Sequence, residues 1–261
     1  MAALPKTKTP KKVEADANWR DKWNGKLYIG TSGFSYPYWK NRFYPEGLPG
    51  SKWLQYYATQ FNTLELNSSF YRFPKIAHLK KAADQTPDDF VFTVKAHKII
   101  THTRRMKEAG DKIIEFMDII QEGLGNKLAC ILYQMPPSYN FSEERLNDIV
   151  QHLSFDKRNV IEFRHASWWQ QKVYQRLDEN HIHFCSVSYP GLPEDNITTG
   201  HVFYKRMHGV PELFKSSYAL SELEILSGQI APKTKTFVYF NNTMFEAGYS
   251  NARCLQQLLM K

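Results

Sequence analysis

Long apolar runs are missing from this chain. None approaches the roughly 20 residues that a helix needs to cross a bilayer, and the first residues lack the apolar core of a signal peptide. Cysteine is scarce: Cys130, Cys185 and Cys254 are odd in number, widely spaced and set among apolar neighbours, with no Cys-x-x-Cys pair. This excludes a disulfide framework and argues against a cysteine zinc site; it fits buried, reduced thiols in a cytoplasmic protein. A glycine-rich phosphate loop is also absent, because Gly30-Thr-Ser-Gly33 is too short for a dinucleotide fingerprint. No cofactor and no metal are expected.

What is present is enough for a large core. The chain has 261 residues, 42% of them hydrophobic and 15% aromatic, which suits one barrel-sized domain. The net charge of +8 invites a nucleic-acid reading, but it is shared unevenly. Residues 1–26 hold seven basic side chains against three acidic ones, and the remainder holds 27 against 23. A modestly basic body fits anion-binding enzymes as well as nucleic-acid binders. Residues 1–26 lack apolar periodicity and are read as a basic, flexible N-terminal extension; residues 27–261 are read as one domain.

From 27 onward, short β-like runs alternate with amphipathic helical stretches. Strands are expected at 27–31, 63–67, 90–95, 128–134, 160–164, 182–188, 201–208 and 235–240. Helices are expected between them, with Ser51 and Ser142 as N-caps. Eight β/α alternations predict an α/β fold, a single (β/α)8 TIM barrel. The sixth β/α unit is irregular, since 190–200 offers turn chemistry in place of a helix. An open doubly wound sheet is the structural alternative.

The strands end in polar side chains that the two-residue period turns inward: Glu65 and Asn67, Lys95, Gln134, Glu162 and Arg164, Arg206 and His208. Polar groups at the carboxyl ends of parallel strands are the layout of a barrel site. Glu65 and Glu162 are candidate catalytic carboxylates, or partners in a ring of ion pairs with Lys95, Arg164 and Arg206. Glu162 is expected to matter more for function than for folding. Three cations against two carboxylates favour an anionic ligand. Lys95 is a catalytic candidate; the neighbouring carboxylates are expected to raise its pKa and so to disfavour a Schiff base. His102, His165 and His208 follow strand ends and are candidates for proton transfer, His208 foremost. A metal on Glu65, Glu162 and His208 is disfavoured by the cations beside them. Tyr36, Tyr71 and Trp168 are expected to wall the ligand. Gln134, held before Pro136 and Pro137, and the amides Asn67, Asn241 and Asn242 supply hydrogen bonds.

Several ordered blocks carry a resemblance. Gly30-Thr-Ser-Gly-Phe-Ser-Tyr36 with Trp39 and Phe43-Tyr-Pro45, then Asn62 to Arg72, then Ile100-Thr-His102 with Arg105-Met106 come first. Gln134-Met-Pro-Pro-Ser138, Glu162 to Trp168, and Tyr239-Phe-Asn-Asn242 with Gly248-Tyr249 follow. From about Leu27 to the C-terminus the chain resembles the YecE-like family, domain of unknown function 72. The resemblance implies a TIM barrel and an unassigned activity, and it does not extend to the N-terminal extension. Two functions remain open. One is an enzyme using acid–base chemistry on a small anionic substrate, sugar- or nucleotide-like, at the C-terminal barrel face. The other is a nucleic-acid-associated protein with a basic arm and an aromatic mouth. Neither reading involves a membrane.

Overall fold

Alternation with period two needs a partner on each edge, and in a computed structural model describing residues 25–231 and 234–260 every strand finds parallel ones. The strands are β1 Leu27–Thr31, β2 Thr63–Leu66, β3 Val91–Lys95, β4 Leu128–Gln134, β5 Asn159–Glu162, β6 His183–Ser188, β7 Val202–Met207 and β8 Lys235–Phe240. They pair in the order β1-β8-β7-β6-β5-β4-β3-β2. The helices are α1 Trp53–Gln60, α2 Ile76–Asp84, α3 Gly110–Leu124, α4 Glu143–Leu153, α5 Gln171–Glu179, α6 Leu220–Gln229 and α7 Ala247–Met260. The fold is a (β/α)8 barrel. The expected N-terminal extension lies almost wholly outside the described residues.

The seam between β1 and β2 is built differently from the rest. It carries a parallel bridge from Ser32 to Glu65 in place of a ladder. Side chains supply the missing bonds. Asn62 accepts from the Ile29 amide (3.2 Å) and donates to the Leu27 carbonyl (2.7 Å), while the Tyr57 hydroxyl accepts from the Thr31 amide (2.8 Å) and donates to the Thr63 carbonyl (3.1 Å). Gly30 permits this approach: a Cβ there would lie 2.2 Å from the Thr63 carbonyl oxygen.

Local signals held at two points and failed at one. As the turn chemistry of 190–200 predicts, no helix follows β6. Residues 189–201 run back along that strand, Ile197 donating its amide to Ser186 Oγ (2.8 Å) and Phe184 donating to Thr199 Oγ1 (2.7 Å). Outside the barrel at this point lies a cavity of about 180 Å³, where Lys205 Nζ donates to Asn196 Oδ1 (2.6 Å). Ser142 does cap α4, accepting from the Arg145 amide. Ser51 caps nothing, because a 3-10 turn over Gly50–Lys52 leads directly into α1.

The large apolar layer lies between sheet and helices, and a smaller cluster including Tyr28, Leu132, Val160, Tyr204 and Phe237 fills the barrel interior. Tyr239 ties that interior together, its hydroxyl 2.6 Å from Thr63 Oγ1 and 2.8 Å from Thr93 Oγ1. Directly above this packed floor, toward the carboxyl ends, the inward positions become charged. Among the described residues no helix is long and apolar enough to cross a membrane.

Candidate functional site

Period two carries β2, β5 and β7 from an apolar or hydroxyl side chain up to a charged one: Thr63 to Glu65, Val160 to Glu162, Tyr204 to Arg206. These three charges meet at the barrel axis. Arg206, 1% exposed, donates from Nη2 to Glu65 Oε1 (2.6 Å) and from Nη1 to Glu162 Oε2 (2.6 Å). Ser32 Oγ also donates to Glu65 Oε1 (2.6 Å), and the Tyr204 hydroxyl donates to Glu65 Oε2 (2.7 Å). Glu162 Oε1 accepts from Arg164 Nε. Burial pushes the Glu162 carboxyl up, yet Arg164 and Arg206 outweigh it and hold the group well below the ordinary carboxylate range. Burial would likewise strip the Arg206 proton, and Glu162 and Glu65 keep it in place. Both glutamates are therefore occupied, and Glu162 is too acidic to donate a proton. The sequence allowed them to be catalytic or paired; the geometry pairs them.

His208 sits above Arg206, fully buried. Its Nε2 lies 3.1 Å from Arg164 Nη2 and 3.5 Å from Glu162 Oε1, and its Nδ1 lies 2.8 Å from the Asn241 amide. A guanidinium only donates, so in the first contact Nε2 accepts and the neutral ring carries its proton on Nδ1, toward the Asn241 side-chain amide, whose oxygen is the end able to accept it. Burial, then the charges of Arg164 and Arg206, push its pKa down to about 3. The ring is thus held neutral near pH 7, where the sequence reading makes it the foremost candidate for proton transfer.

Lys95 is the exception in this cluster. It is partly exposed, its Nζ donates to Gln134 Oε1 (2.7 Å), and it stands 4.3 Å from the centre of the Phe70 ring. Burial, then the positive charge of Arg206, lowers its pKa to about 8, against the partial opposition of Glu162 and Glu65. The neighbouring carboxylates do raise it, as expected, but burial and then Arg206 outweigh them and the net shift is downward. Gln134 is braced by donating Nε2 to the Met135 carbonyl (2.7 Å).

The other candidates divide. Asn67 and His102 stand at this end of the barrel; Asn67 Oδ1 is buried without a hydrogen-bond partner, and His102 packs edge-on against Phe70 at 4.9 Å. Burial, then Lys95, brings the His102 pKa down to about 4. The Tyr36 hydroxyl donates to the Ser32 carbonyl beside Glu65. Four candidates do not join the cluster. Trp168 is fully buried, stacked on Phe163 at 4.0 Å and donating to the Tyr139 carbonyl (2.6 Å), so it is core and not a ligand wall. His165 is exposed and accepts from the Ser167 amide, capping a short turn. Asn242 is buried and donates to Ser216 O and Asn251 Oδ1, both at 2.9 Å, tying loops together. Tyr71 is 73% exposed and packs edge-on against Phe70, without a direct contact to the charged groups among those described. Cys130 and Cys185 are buried thiols as expected, whereas Cys254 is partly exposed.

Sequence reasoning missed Ser32, Tyr204, Phe70 and Tyr189, whose ring faces the Arg164 guanidinium at 4.1 Å. Tyr204 was within reach, lying two residues below Arg206 on the same face. Phe70 follows β2 in a 3-10 turn, and nothing local marks its approach to Lys95. Among the described residues no group of three or more His, Cys, Asp or Glu side chains is placed to hold a metal.

A parallel barrel with polar groups at the carboxyl ends of its strands defines a TIM-barrel protein with its candidate site at the usual mouth. The sequence model described as "Protein of unknown function DUF72" matches residues 28–261, and the chain belongs to that family. It is 30% identical over 157 residues to the UPF0759 protein YunF of Bacillus subtilis, covering 58% of this chain and 55% of that one. It is 32% identical over 163 residues to the UPF0759 protein YecE of Escherichia coli, covering 62% and 57%. The match thus spans little more than half the length of these relatives. A DUF72 family protein of Thermotoga maritima superposes with a TM-score of 0.81 at 30% identity, covering 90% of this chain and 99% of that one. One from Enterococcus faecalis, at 20% identity and a TM-score of 0.76 over 90% and 95%, shares the fold.

Proposed function

We propose that the protein is an enzyme acting by acid–base chemistry on a small anionic substrate at the C-terminal mouth of the barrel. The observation that carries this is the closing of both inner carboxylates onto one buried arginine. Arg206 neutralises one of the two negative charges, and Arg164 and Lys95 remain against the other. With His208 and His102 neutral, the floor holds one net positive charge when Lys95 is protonated. A net positive, partly desolvated floor favours phosphate or carboxylate, and the Arg164 fork suits their geometry. Lys95, titrating near 8, is the group able to exchange protons at working pH.

Arg206 is a poor handle for testing this, since its removal would strand two buried carboxylates. Arg164→Gln leaves Glu162 its bond to Arg206. Calorimetry with phosphate, sulfate and small carboxylates should show binding to wild type that weakens at least tenfold in Arg164→Gln. Undetectable binding to both proteins would sink the reading.

The second reading, association with nucleic acid, draws on the exposed rings that follow the strands: Tyr71 (73%), Phe245 (62%) and Phe214 (44%). Such rings can stack on bases.

A further inference from the structure

Lys95 occupies an unusual position for a charged amine. Its Nζ meets a neutral amide, Gln134 Oε1, and an aromatic face, Phe70. The charged and titratable groups around it are Glu65 on β2, Glu162 on β5, Arg164 just beyond β5, Arg206 on β7 and His102 in the turn after β3. Both carboxylates among them are bonded to arginine. The ammonium form thus lacks a carboxylate of its own, and the free amine is reached more readily here than at an ordinary lysine. Lys95 and Arg164 are separated laterally by one strand, β4, about 10 Å across the sheet, and the register, which sets Lys95 level with Leu132 and Val160, places Arg164 four residues further toward the mouth. Arg164 Nη2 lies 3.1 Å from His208 Nε2, and its charge is still near enough to lower the Lys95 pKa.

We propose that Lys95 is a nucleophile that captures a substrate carbonyl as an imine, the substrate being a small aldehyde or ketone whose carboxylate or phosphate Arg164 holds. This deepens the function proposed above and rests on its anion site. In the step, the Lys95 nitrogen lone pair attacks the carbonyl carbon, forming the C–N bond as the carbonyl π electrons move to oxygen. A proton passes from nitrogen to that oxygen, giving a carbinolamine. The nitrogen lone pair then expels the hydroxyl group, which takes a proton from solvent and leaves as water. The product is a protonated imine, its positive charge facing Gln134 Oε1 and the Phe70 ring. Hydrolysis reverses each step, and no oxidant or reductant is consumed.

The test is reductive trapping of the wild-type protein with cyanoborohydride, using glyoxylate in one arm and glycolaldehyde, its uncharged counterpart, in the other. Modified lysines are mapped by mass spectrometry of peptides. The expected result is at least tenfold more adduct on Lys95 than on the average surface lysine in the glyoxylate arm, with no such preference for glycolaldehyde. Arg164→Gln should remove the glyoxylate preference, and Lys95→Arg should abolish the adduct at that position. Calorimetry with acetate and phosphate, which lack a reactive carbonyl, is run beside it. Anion binding without preferential labelling of Lys95 overturns the imine and leaves the anion-binding enzyme standing. Equal labelling of Lys95 by both aldehydes, with no anion binding, overturns the anionic substrate class and with it the proposal as stated. The wild-type map decides by itself if a variant fails to fold.

Discussion

At the scale of single residues, the cluster gives two opposite forecasts for its charged groups. Lys95 titrates near 8 in the folded protein and near 10.5 in an ordinary setting. Between those values the unfolded chain binds a proton that the folded chain does not, so stability rises with pH across that window. Wild type should therefore gain on Lys95→Met from about pH 8 to 10.5 and hold a constant difference below, as measured by urea unfolding at a series of pH values. Glu162 is paired with two arginines, so a structural role makes its own forecast. Glu162→Gln removes the partner of Arg164 and of Arg206 together, and should cost about 3–5 kcal/mol in the same assay. A loss below about 1 kcal/mol would restore Glu162 as a group held for function. The strand period made these charges legible as sharing an inner face. It could not show who pairs with whom, because the pairings cross the barrel between residues 44 and 141 positions apart. Trp168 misled for the same reason: a ring after a strand end looks alike whether it faces the mouth or the core.

The elements were the most readable layer. Every expected strand is present, and the missing helix after β6 was visible as turn chemistry, because composition and periodicity are local. The seam was not visible. Asn62 and Tyr57 replace a ladder by reaching residues 26 to 35 positions away, and nothing in their own neighbourhoods announces it. Tyr57→Phe should leave the Thr31 amide and the Thr63 carbonyl buried without their partner, at about 2–4 kcal/mol. Chemical denaturation measures the loss, and amide exchange at Thr31 should accelerate more than at Ile131, which keeps its backbone partner. Equal acceleration at both amides would mean global loosening and not a seam effect.

For the whole molecule, acid should act early. His208 takes its proton near 3 and His102 near 4 when folded, against 6.5 ordinarily. Between those values and 6.5 the unfolded chain binds more protons, so stability falls as pH drops below about 6.5. Glu162, depressed when folded, adds its own loss as pH falls below its ordinary value of 4.5. Melting followed from pH 7 to 4 should decline well before the carboxylate range. His208→Gln should flatten the slope between pH 6 and 5 by up to about 1.4 kcal/mol per pH unit. Salt separates the two functional readings at this scale. Binding of a single-stranded oligonucleotide should fall steeply as salt rises, and binding of a small anion far less.

The closure of the barrel also has a bearing on how the chain is made. β1 owes its regular ladder to β8, Leu27 to Thr236 through Thr31 to Phe240, and only side-chain bonds and one bridge to β2. On a ribosome, the first strand emerges with its helical and β2 neighbours soon after it, but its backbone partner β8 follows only after five further strands. Until β8 arrives, the nascent barrel has an open edge on each side of the gap, and β1 is held chiefly through Asn62 and Tyr57. Those two residues are the contacts placed to hold the strand in register over the interval between β2 and β8.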